Sequence, residues 1–377
     1  MGFSIEAECS HTRARAGMLK LSHGSIHTPV FMPVATRAAI RSVHTFQLDT
    51  EVKNEILLCN TYHLFLRPGT EVLHAAGGIH AFMQWNKPVL TDSGGYQIFS
   101  LSGRRKITEE GVRFQSHIDG SYHWFTPENV IDIQRVIGAD IIMAFDECPP
   151  YPCSYEYARM SMLRTHRWLS RCRKQFSGTL SLYGYEQLLF PIIQGSVYPE
   201  LRRESALYII ESGDNSGYAI GGLSVGEPES MMYDMVEVLT EILPKDRPRY
   251  LMGVGTPVNL LENISRGVDM FDCVLPTRNA RHGIIYTSHG IIHIKNKKWE
   301  KDFSPLDESG TCLSSRIFSK AYVRHLFHTD EIMGMQVASL QNLSFFVWLM
   351  QEARNHIRNN TFYEWKNRMV NQLSVKL

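Results

Sequence analysis

Short apolar runs that end abruptly at polar or glycine residues recur along this chain, and they constrain its fold more than any other feature. Each run is four to six residues long and lacks polar alternation. Such runs are typical of strands buried on both faces, as in a parallel sheet. They lie within residues 55–63, 88–97, 140–149, 188–196, 218–227, 250–257 and 270–278.

Amphipathic helical patterns separate most of these runs. Residues 126–138 begin with Thr126, a favourable N-cap, and Pro127 at the first helical position. Segments 198–213 and 227–243 have helical length and an apolar stripe, and segment 256–267 repeats the Thr-Pro start. The chain therefore alternates β and α elements, which predicts a parallel sheet covered by helices.

A modified (β/α)8 TIM barrel accounts best for this alternation. A doubly wound open sheet is the alternative, but no Gly-x-Gly-x-x-Gly with a later acidic residue follows an early strand. From about Glu300 onward the alternation stops. We predict a catalytic barrel with insertions over residues 1–300 and a mostly helical C-terminal subdomain over residues 301–377.

Polar side chains and glycines follow the apolar runs. The carboxyl ends of the strands meet at one mouth of a closed barrel, so distant residues share a pocket there. The residues predicted to line this pocket are Asp92, Asp146, Gln194, Gly222, Met252 and Asp272.

Three carboxylates at strand ends carry the chemistry: Asp92, Asp146 and Asp272. One such aspartate is usually a helix cap or turn former, but three in glycine, cysteine and proline contexts favour a site. One carboxylate can attack an anomeric carbon and form a covalent glycosyl-enzyme. Another can accept hydrogen bonds from a heterocycle. The residues alone leave both a glycoside hydrolase and an N-glycosyl transferase open.

Groups suited to a flat heterocycle accompany the carboxylates. Backbone N–H groups at Gly222 can donate to a carbonyl oxygen, although glycines there also suit a tight turn. Gln194 can bind an amide edge, and Tyr96 and Met252 can contact a ring face or belong to the core. His63 and Glu147 are weaker candidates, and a structural role suits His63 better.

Composition fits a globular protein, with 44% hydrophobic and 20% charged residues. We see no signal peptide and no run of about 18 apolar residues, so no membrane span is expected. Seven cysteines, an odd number, do not form a disulfide framework and indicate a reducing, cytoplasmic location. Two basic segments, 163–174 and 293–301, are either solvated faces or phosphate contacts.

The motifs resemble those of the tRNA-guanine transglycosylases of queuosine modification. They are TDSGGYQIFS, FDECPPYP, PIIQGS, YAIGGLSVGE and GVDMFDCVLPTRNARHG, in this order. The resemblance extends from residues 28–36 to 315–327 and beyond. It implies a modified TIM barrel that exchanges the wobble guanine of certain tRNAs for a 7-deazaguanine base.

The resemblance also implies a role for each site residue. Asp272 is the expected nucleophile at C1′ of the wobble ribose, and Asp92 the expected general acid/base. Further roles are implied for the residues that read or sandwich the flipped base, Asp146, Gln194, Gly222, Leu223, Tyr96 and Met252. Arg278 and Arg281 are expected to grip the neighbouring anticodon bases.

The incoming base stays open between two compounds. Cys148 and Val225 resemble the bacterial pattern associated with 7-aminomethyl-7-deazaguanine, whereas a glycine in place of Val225 favours queuine. Three alternatives are a non-catalytic partner subunit, an archaeal-type enzyme acting on an interior guanine, and a sugar hydrolase. The matching aspartates disfavour the first, and the expected lack of an appended RNA-binding domain after about residue 370 disfavours the second. The base-reading residues Asp146, Gln194 and Gly222 disfavour the third.

The resemblance fails at the family's structural zinc site. Relatives carry Cys-x-Cys-x-x-Cys and a later histidine, and the corresponding positions here are Gly310, Cys312, Ser315 and Gln341. Tetrahedral zinc needs four ligands, and only Cys312 supplies a thiolate. We predict no zinc and no other cofactor, and the resemblance implies a homodimer.

Overall fold

Eight parallel strands close into a barrel in the computed structural model, which describes residues 2–101, 105–213 and 215–377. The strands of the chain are β1 (Gly2–Glu8), β2 (Arg15–Leu21), β3 (Gly24–Thr28), β4 (Val30–Pro33), β5 (Leu57–Cys59), β6 (Val89–Thr91), β7 (Arg105–Ile107), β8 (Val112–Gln115), β9 (Tyr122–Phe125), β10 (Ile141–Met143), β11 (Leu188–Phe190), β12 (Ile192–Ile193), β13 (Tyr218–Ile220), β14 (Arg249–Leu251), β15 (Met270–Cys273), β16 (Ile284–Thr287) and β17 (Gly290–His293).

Helices follow most barrel strands, and others form the end of the chain. They are α1 (Thr45–Thr50), α2 (Thr61–Leu66), α3 (Thr70–Ala75), α4 (Ile79–Met83), α5 (Gly95–Leu101), α6 (Pro127–Ile137), α7 (Tyr155–Gly178), α8 (Pro199–Glu211), α9 (Glu229–Thr240), α10 (Pro257–Ser265), α11 (Leu275–Arg281), α12 (Leu313–Ile317), α13 (Lys320–His328), α14 (Ile332–Arg358) and α15 (Phe362–Leu373). A short 3-10 helix spans Lys297–Trp299.

Two sheets share the barrel wall. One has the order β11-β10-β6-β5 and the other β12-β13-β14-β15-β4. Pro191, which has no N–H to donate, separates β11 from β12 within one continuous strand. A parallel bridge from Val34 to Leu58 joins β4 to β5, and the ring is closed. The predicted (β/α)8 fold class is confirmed.

Strand side chains alternate between two apolar layers. Leu58, Leu90 and Ile141 belong to a cluster inside the barrel, together with residues of the β2–β3 hairpin. Leu57, Val89 and Ile142 point the other way and pack with the surrounding helices. Burial on both faces explains why the runs lack polar alternation.

The predicted strands and helices are found where the sequence places them, and one strand of the barrel was not predicted. All seven apolar runs contain barrel strands, and α6, α8, α9 and α10 lie in the four predicted segments. Thr126 caps α6 by accepting a hydrogen bond from the Asn129 N–H, and Gly138 ends that helix at a φ of 78°. The sequence analysis missed β4, whose three apolar residues, Val30, Phe31 and Met32, lie between Pro29 and Pro33.

An antiparallel sheet, β1-β2-β3, covers the amino end of the barrel. Asp140, directly before β10, accepts hydrogen bonds there from the His23 backbone and Nδ1 at 3.0 and 2.9 Å, and His80 Nε2 lies 3.2 Å away. Burial raises the pKa of Asp140, but the two histidines lower it more, so it lies well below its usual range. The histidine rings stack with centroids 3.6 Å apart, and each directs one ring nitrogen at the Asp140 carboxylate. The network fastens the hairpin to the barrel.

Residues beyond 300 are mostly helical, as predicted, and pack on the barrel wall. The α14 helix lies on α11, β16 and β4, with the rings of Phe31 and Phe346 4.7 Å apart. Arg354 on α14 donates to the carbonyls of His27 and Pro29 at 3.1 and 2.9 Å. The domain division at residue 300 stays a prediction.

The α14 helix is also long and apolar enough to cross a membrane by length and composition alone. Within the fold, 67% of its most apolar window is buried. Core helices share this property, and the absence of a membrane span stays a prediction.

Candidate active site

A cavity of about 360 Å³ opens at the carboxyl ends of the barrel strands. It brings together the side chains that the sequence predicted to be catalytic and base-binding, although they lie up to 180 positions apart. These are Asp92, Tyr96, Asp146, Gln194, Gly222, Leu223, Met252 and Asp272. Cys148 and Val225 line the same cavity.

Asp272 lies at the end of β15 with its two oxygens in different environments. The Tyr250 hydroxyl and the Gly253 N–H both donate to Oδ1, at 2.6 and 2.8 Å. Oδ2 accepts no hydrogen bond from the described residues. Burial raises the pKa of Asp272, while the two donors lower it in part. One oxygen is thus held and the other is available to a substrate.

Asp92, after β6, is surrounded by donors. Asn60 Nδ2 donates to Oδ2, and the N–H groups of Thr61 and Gly94 donate to Oδ1 at 3.0 and 3.2 Å. Burial and, to a lesser degree, the charge of Asp272 raise the pKa of Asp92, the hydrogen-bond donors lower it in part, and the net pKa is about 7. A carboxyl group with this pKa exchanges protons readily near neutral pH.

Asp146, after β10, forms a small network with two neighbours. Ser93 Oγ donates to Oδ1 at 2.8 Å, and Gln194 Nε2 donates to Oδ2 at 2.7 Å. Burial raises the pKa of Asp146 to about 6. Gln194 Oε1 is buried without a partner in the described part of the chain, which leaves an acceptor for a ligand.

The loop after β13 needs its glycines because it lies directly against Gln194. Gly222 has a φ of 65°, and a Cβ there would lie 2.3 Å from Gln194 Oε1. The amide N–H groups of Gly222 and Leu223 meet no acceptor among the residues that the structure describes. They are available to a carbonyl oxygen of a bound heterocycle.

Arg202 on α8 holds this loop from behind. The buried guanidinium donates to the carbonyls of Ile193, Ser196, Gly221 and Gly222 at 2.7 to 3.2 Å. Burial lowers the pKa of Arg202 to about 10. The sequence analysis missed this residue because its role depends on the packing of α8 across two strand ends.

Tyr96 and Met252 lie at the rim of the cavity. The Tyr96 side chain, at the start of α5, is 53% exposed, and Met252 is half-buried. Each lines the cavity, and the prediction that the two cover the faces of a planar ligand stays a prediction.

Arg278 and Arg281 lie on α11 and line a second cavity, of about 440 Å³. Val34, Thr36, His63 and Val274 line both cavities. Two arginines that the sequence analysis missed, Arg37 and Arg41, complete the second cavity from the loop between β4 and α1.

The two weaker candidates differ in position. His63 lines both cavities, and burial together with the charge of Arg37 lowers its pKa to about 4, so the ring is neutral at pH 7. Glu147 is buried and binds Tyr157 and Arg164 on α7. Its role is to anchor α7 behind Asp146.

The basic segment 163–174 lies in α7, and its arginines have partners within the protein. Arg167 pairs with Glu109 at 2.6 Å and Arg171 with Glu128 at 2.7 Å. Arg173 donates to the Ser212 carbonyl and to Asn215. These pairings give the segment a structural role, and its interpretation as a phosphate-contact surface stays a prediction. The segment 293–301 contains the end of β17 and the 3-10 helix.

The four positions of the family zinc site converge in the tail but do not form a zinc ligand set. Cys312 Sγ lies 2.7 Å from Ser315 Oγ, and a Cβ at Gly310 would lie 2.3 Å from the Ser315 Cβ. Gln341 Nε2 donates to the Tyr286 carbonyl at 2.8 Å. One thiol, one hydroxyl and one amide do not fit tetrahedral zinc.

Comparisons with known proteins find similarity over nearly the whole chain. The family described as queuine tRNA-ribosyltransferase matches residues 9–375. A queuine tRNA-ribosyltransferase of Thermoanaerobacter sp. (strain X514) is 51% identical over 97% of this chain and 96% of its own. Those of Desulforamulus reducens and Solibacter usitatus are 50% and 48% identical, over 96% and 97% of this chain and 96% of each relative.

Proposed function

This chain belongs to the queuine tRNA-ribosyltransferase family, and from that premise we propose a double-displacement reaction at the carboxyl end of its barrel. The chain is a pentosyltransferase, a tRNA-guanine transglycosylase of queuosine modification. Its substrate is the wobble guanosine of tRNA, which is unpaired in the anticodon loop and costs little to extrude.

In the first half of the reaction, Asp272 is the nucleophile. Its Oδ2 attacks C1′ of the ribose, the C1′–N9 bond breaks, and the electron pair leaves with guanine. Protonated Asp92 supplies the proton that the departing base requires. The product is a ribosyl ester of Asp272 that still carries the tRNA.

In the second half, the incoming 7-deazaguanine gives its N9 proton to the Asp92 carboxylate. Its nitrogen then attacks C1′ and displaces Asp272, so two inversions give net retention. Both bases bind at the same residues. Asp146 accepts from the base N–H groups, Gln194 binds an amide edge, and the amides of Gly222 and Leu223 donate to O6. Tyr96 and Met252 cover the ring faces.

The uneven hydrogen bonding of Asp272 carries this proposal. Tyr250 and Gly253 donate to the same oxygen, so they fix the carboxylate and leave the other oxygen as the nucleophile. A carboxylate that served only to cap a helix would direct its oxygens at backbone N–H groups of that helix.

Base exchange on tRNA tests the proposal. Release of labelled guanine from the wobble position is measured with 7-aminomethyl-7-deazaguanine, queuine or guanine as the incoming base. We expect guanine release with wild type, no release of a labelled adenine placed at the wobble position, and at least about 10³-fold slower guanine release with Asp272→Asn. Undiminished release by Asp272→Asn would overturn the nucleophile assignment.

The same assay identifies the incoming base. Cys148 and Val225 line the cavity, and both restrict the space beside the 7-position more than glycine does. We propose 7-aminomethyl-7-deazaguanine as the preferred base, with queuine as the alternative. A higher kcat/KM for queuine would reverse this assignment.

We also propose that the enzyme works without zinc or another cofactor, as a cytoplasmic homodimer. The tail supports a zinc-free enzyme because only one of the four family ligand positions, Cys312, carries a zinc-ligating side chain. In addition, the Ser315 side chain fills the space that a side chain at position 310 would require. The dimer and the location are supported by the family resemblance.

A further inference from the structure

The second cavity carries a concentration of positive charge that the fold itself does not use. Its lining includes four arginines and no acidic residue. Arg37 and Arg41 come from the loop after β4, and Arg278 and Arg281 come from α11. Two separate elements therefore direct guanidinium groups into one space of about 440 Å³.

These arginines have almost no partners in the protein. In the described residues, Arg37, Arg41 and Arg278 make no side-chain hydrogen bond or ion pair, and Arg281 donates only to the Thr277 carbonyl at 2.9 Å. Burial lowers the pKa of Arg281, and the charges of Arg41 and Arg278 lower it further. Like charges held together without counter-charges favour an anionic ligand.

The arginines of α7 show the contrast. Arg164, Arg167 and Arg171 each pair with a glutamate. These α7 arginines each have an acidic partner, whereas none of the four arginines of the second cavity has an acidic partner among the described residues. A single solvent-exposed arginine can lack a protein partner at little cost in free energy, because water hydrates its guanidinium group. This does not explain why four arginines converge on one cavity.

The backbone of the loop supports a binding role for Arg37 and Arg41. Ala38 and Ser42 follow these two arginines, and both adopt left-handed conformations, with φ of 58° and 67°. Side chains rarely adopt this conformation, and it costs free energy that the surrounding structure must offset. The two turns fix where the arginines lie on the loop.

The position of the cavity identifies the anion. It shares Val34, Thr36, His63 and Val274 with the catalytic cavity, so a chain that places a base in one cavity continues into the other. We infer that Arg37 and Arg41 bind the phosphodiester groups that flank the target guanosine and, with Arg278 and Arg281, form an RNA-backbone subsite. This assignment rests on the proposed tRNA reaction.

The test compares Arg37→Ala/Arg41→Ala with wild type on a 17-nucleotide anticodon stem-loop. We expect the KM for this RNA to rise about tenfold or more, while kcat and the KM for the incoming base change by less than about twofold. The slope of log(kcat/KM) against log[salt] should become shallower by about 1 to 1.5, because two phosphate contacts are lost. Arg37→Lys/Arg41→Lys should recover most of the affinity.

A matched control removes two positive charges elsewhere. Lys20 on β2 and Arg67 at the end of α2 are exposed and line neither cavity. Lys20→Ala/Arg67→Ala should leave the KM and the salt slope near the wild-type values. An equal effect of this control would reduce the inference to net charge and overturn it.

Neutral linkages separate phosphate contacts from base contacts. Replacing the two phosphates beside the guanosine with methylphosphonates should weaken RNA binding to wild type. The same replacement should weaken binding to Arg37→Ala/Arg41→Ala by a smaller factor. An unchanged KM in the double variant, or a full methylphosphonate penalty in both proteins, would overturn the subsite. Guanine release by wild type on the unmodified stem-loop is measured alongside, and its absence would refute the proposed function instead.

Discussion

The two carboxylates at the catalytic cavity differ in how their oxygens are occupied. Both oxygens of Asp92 accept hydrogen bonds, whereas the described donors to Asp272 meet only Oδ1. A group that moves protons benefits from a fixed position and a pKa near neutrality, and a nucleophile requires a free oxygen. The difference in bonding therefore supports different roles for two chemically identical side chains.

The pH dependence of the first half-reaction should follow Asp92. Because its pKa is raised to about 7, Asp92 is protonated below that pH and supplies the proton for the departing guanine. We expect the single-turnover rate of guanine release to fall as pH rises through about 7. Asp92→Asn should be slower and should lack this descending limb, and an identical limb in that variant would assign the titration to another group.

Asp272 also makes stability depend on pH. Its folded-state pKa is raised by burial, so its contribution to stability is fully present below the unfolded-state pKa and is lost as pH rises through the folded-state pKa. Asp272→Asn keeps an oxygen for Tyr250 and Gly253 and removes the charge. Its melting temperature should exceed that of wild type by a few degrees at pH 8 and by less at pH 4. An equal difference at both pH values would contradict the charge explanation.

The sequence predicts residues at strand ends better than residues that support them. Asp92, Asp146 and Asp272 could be grouped because parallel strands end at one mouth of a barrel. Tyr250 lies inside a strand, and its contact with Asp272 depends on the register between β14 and β15. Arg37 lies in an irregular loop, and no sequence periodicity indicates where its side chain points.

At the level of elements, α8 links the two loops that read the base. Arg202 donates to carbonyls after β12 and after β13, so one guanidinium sets the positions of Gln194 and Gly222 relative to each other. Removing it leaves buried carbonyls without donors, each at a cost of about 1–3 kcal/mol.

Arg202→Met should act on base binding more than on the chemistry. We expect the KM for the incoming base to rise about tenfold or more. The rate at which the covalent tRNA adduct forms should change less, relative to wild type. Arg202→Lys should recover part of the affinity because it restores one or two donors. Arg135→Met is the matched control, since this buried arginine on α6 donates to the Phe176 and Thr179 carbonyls away from the cavity. A similar rise in KM for the control would indicate general destabilisation.

Elements with strong local signals were predictable. The Thr-Pro start and glycine end of α6 mark its bounds because capping and the left-handed turn are local properties. The β4 strand has no such signal. Pro29 precedes it and Pro33 is its last residue, and its strand character comes from pairing with β15, more than 200 residues later.

At the scale of the whole molecule, the tail holds the barrel wall without the family zinc ligands. The α14 helix packs against α11, β16 and β4, and α15 packs against α10. Buried apolar side chains such as Phe346 and Phe362 connect these helices to the main core. This packing is a sufficient source of stability for the tail, since burial of each large side chain contributes about 1.5–3 kcal/mol.

Stability should therefore be insensitive to chelators. Dialysis against 1,10-phenanthroline should leave the melting temperature and the base-exchange rate unchanged, and elemental analysis should find substoichiometric zinc. Cys312→Ser, which keeps a small polar group beside Ser315, should lower the melting temperature by no more than a few degrees. Stoichiometric zinc whose removal unfolds the tail would overturn the metal-free account.

Direct isolation of the covalent intermediate tests the central claim. Wild type is incubated with an anticodon stem-loop in the absence of an incoming base, denatured, digested with protease and analysed by mass spectrometry. The account predicts a peptide that contains Asp272 esterified to ribose, and no such peptide from Asp272→Asn. A ribosylated Asp92 peptide, or base exchange without any adduct on Asp272, would contradict it.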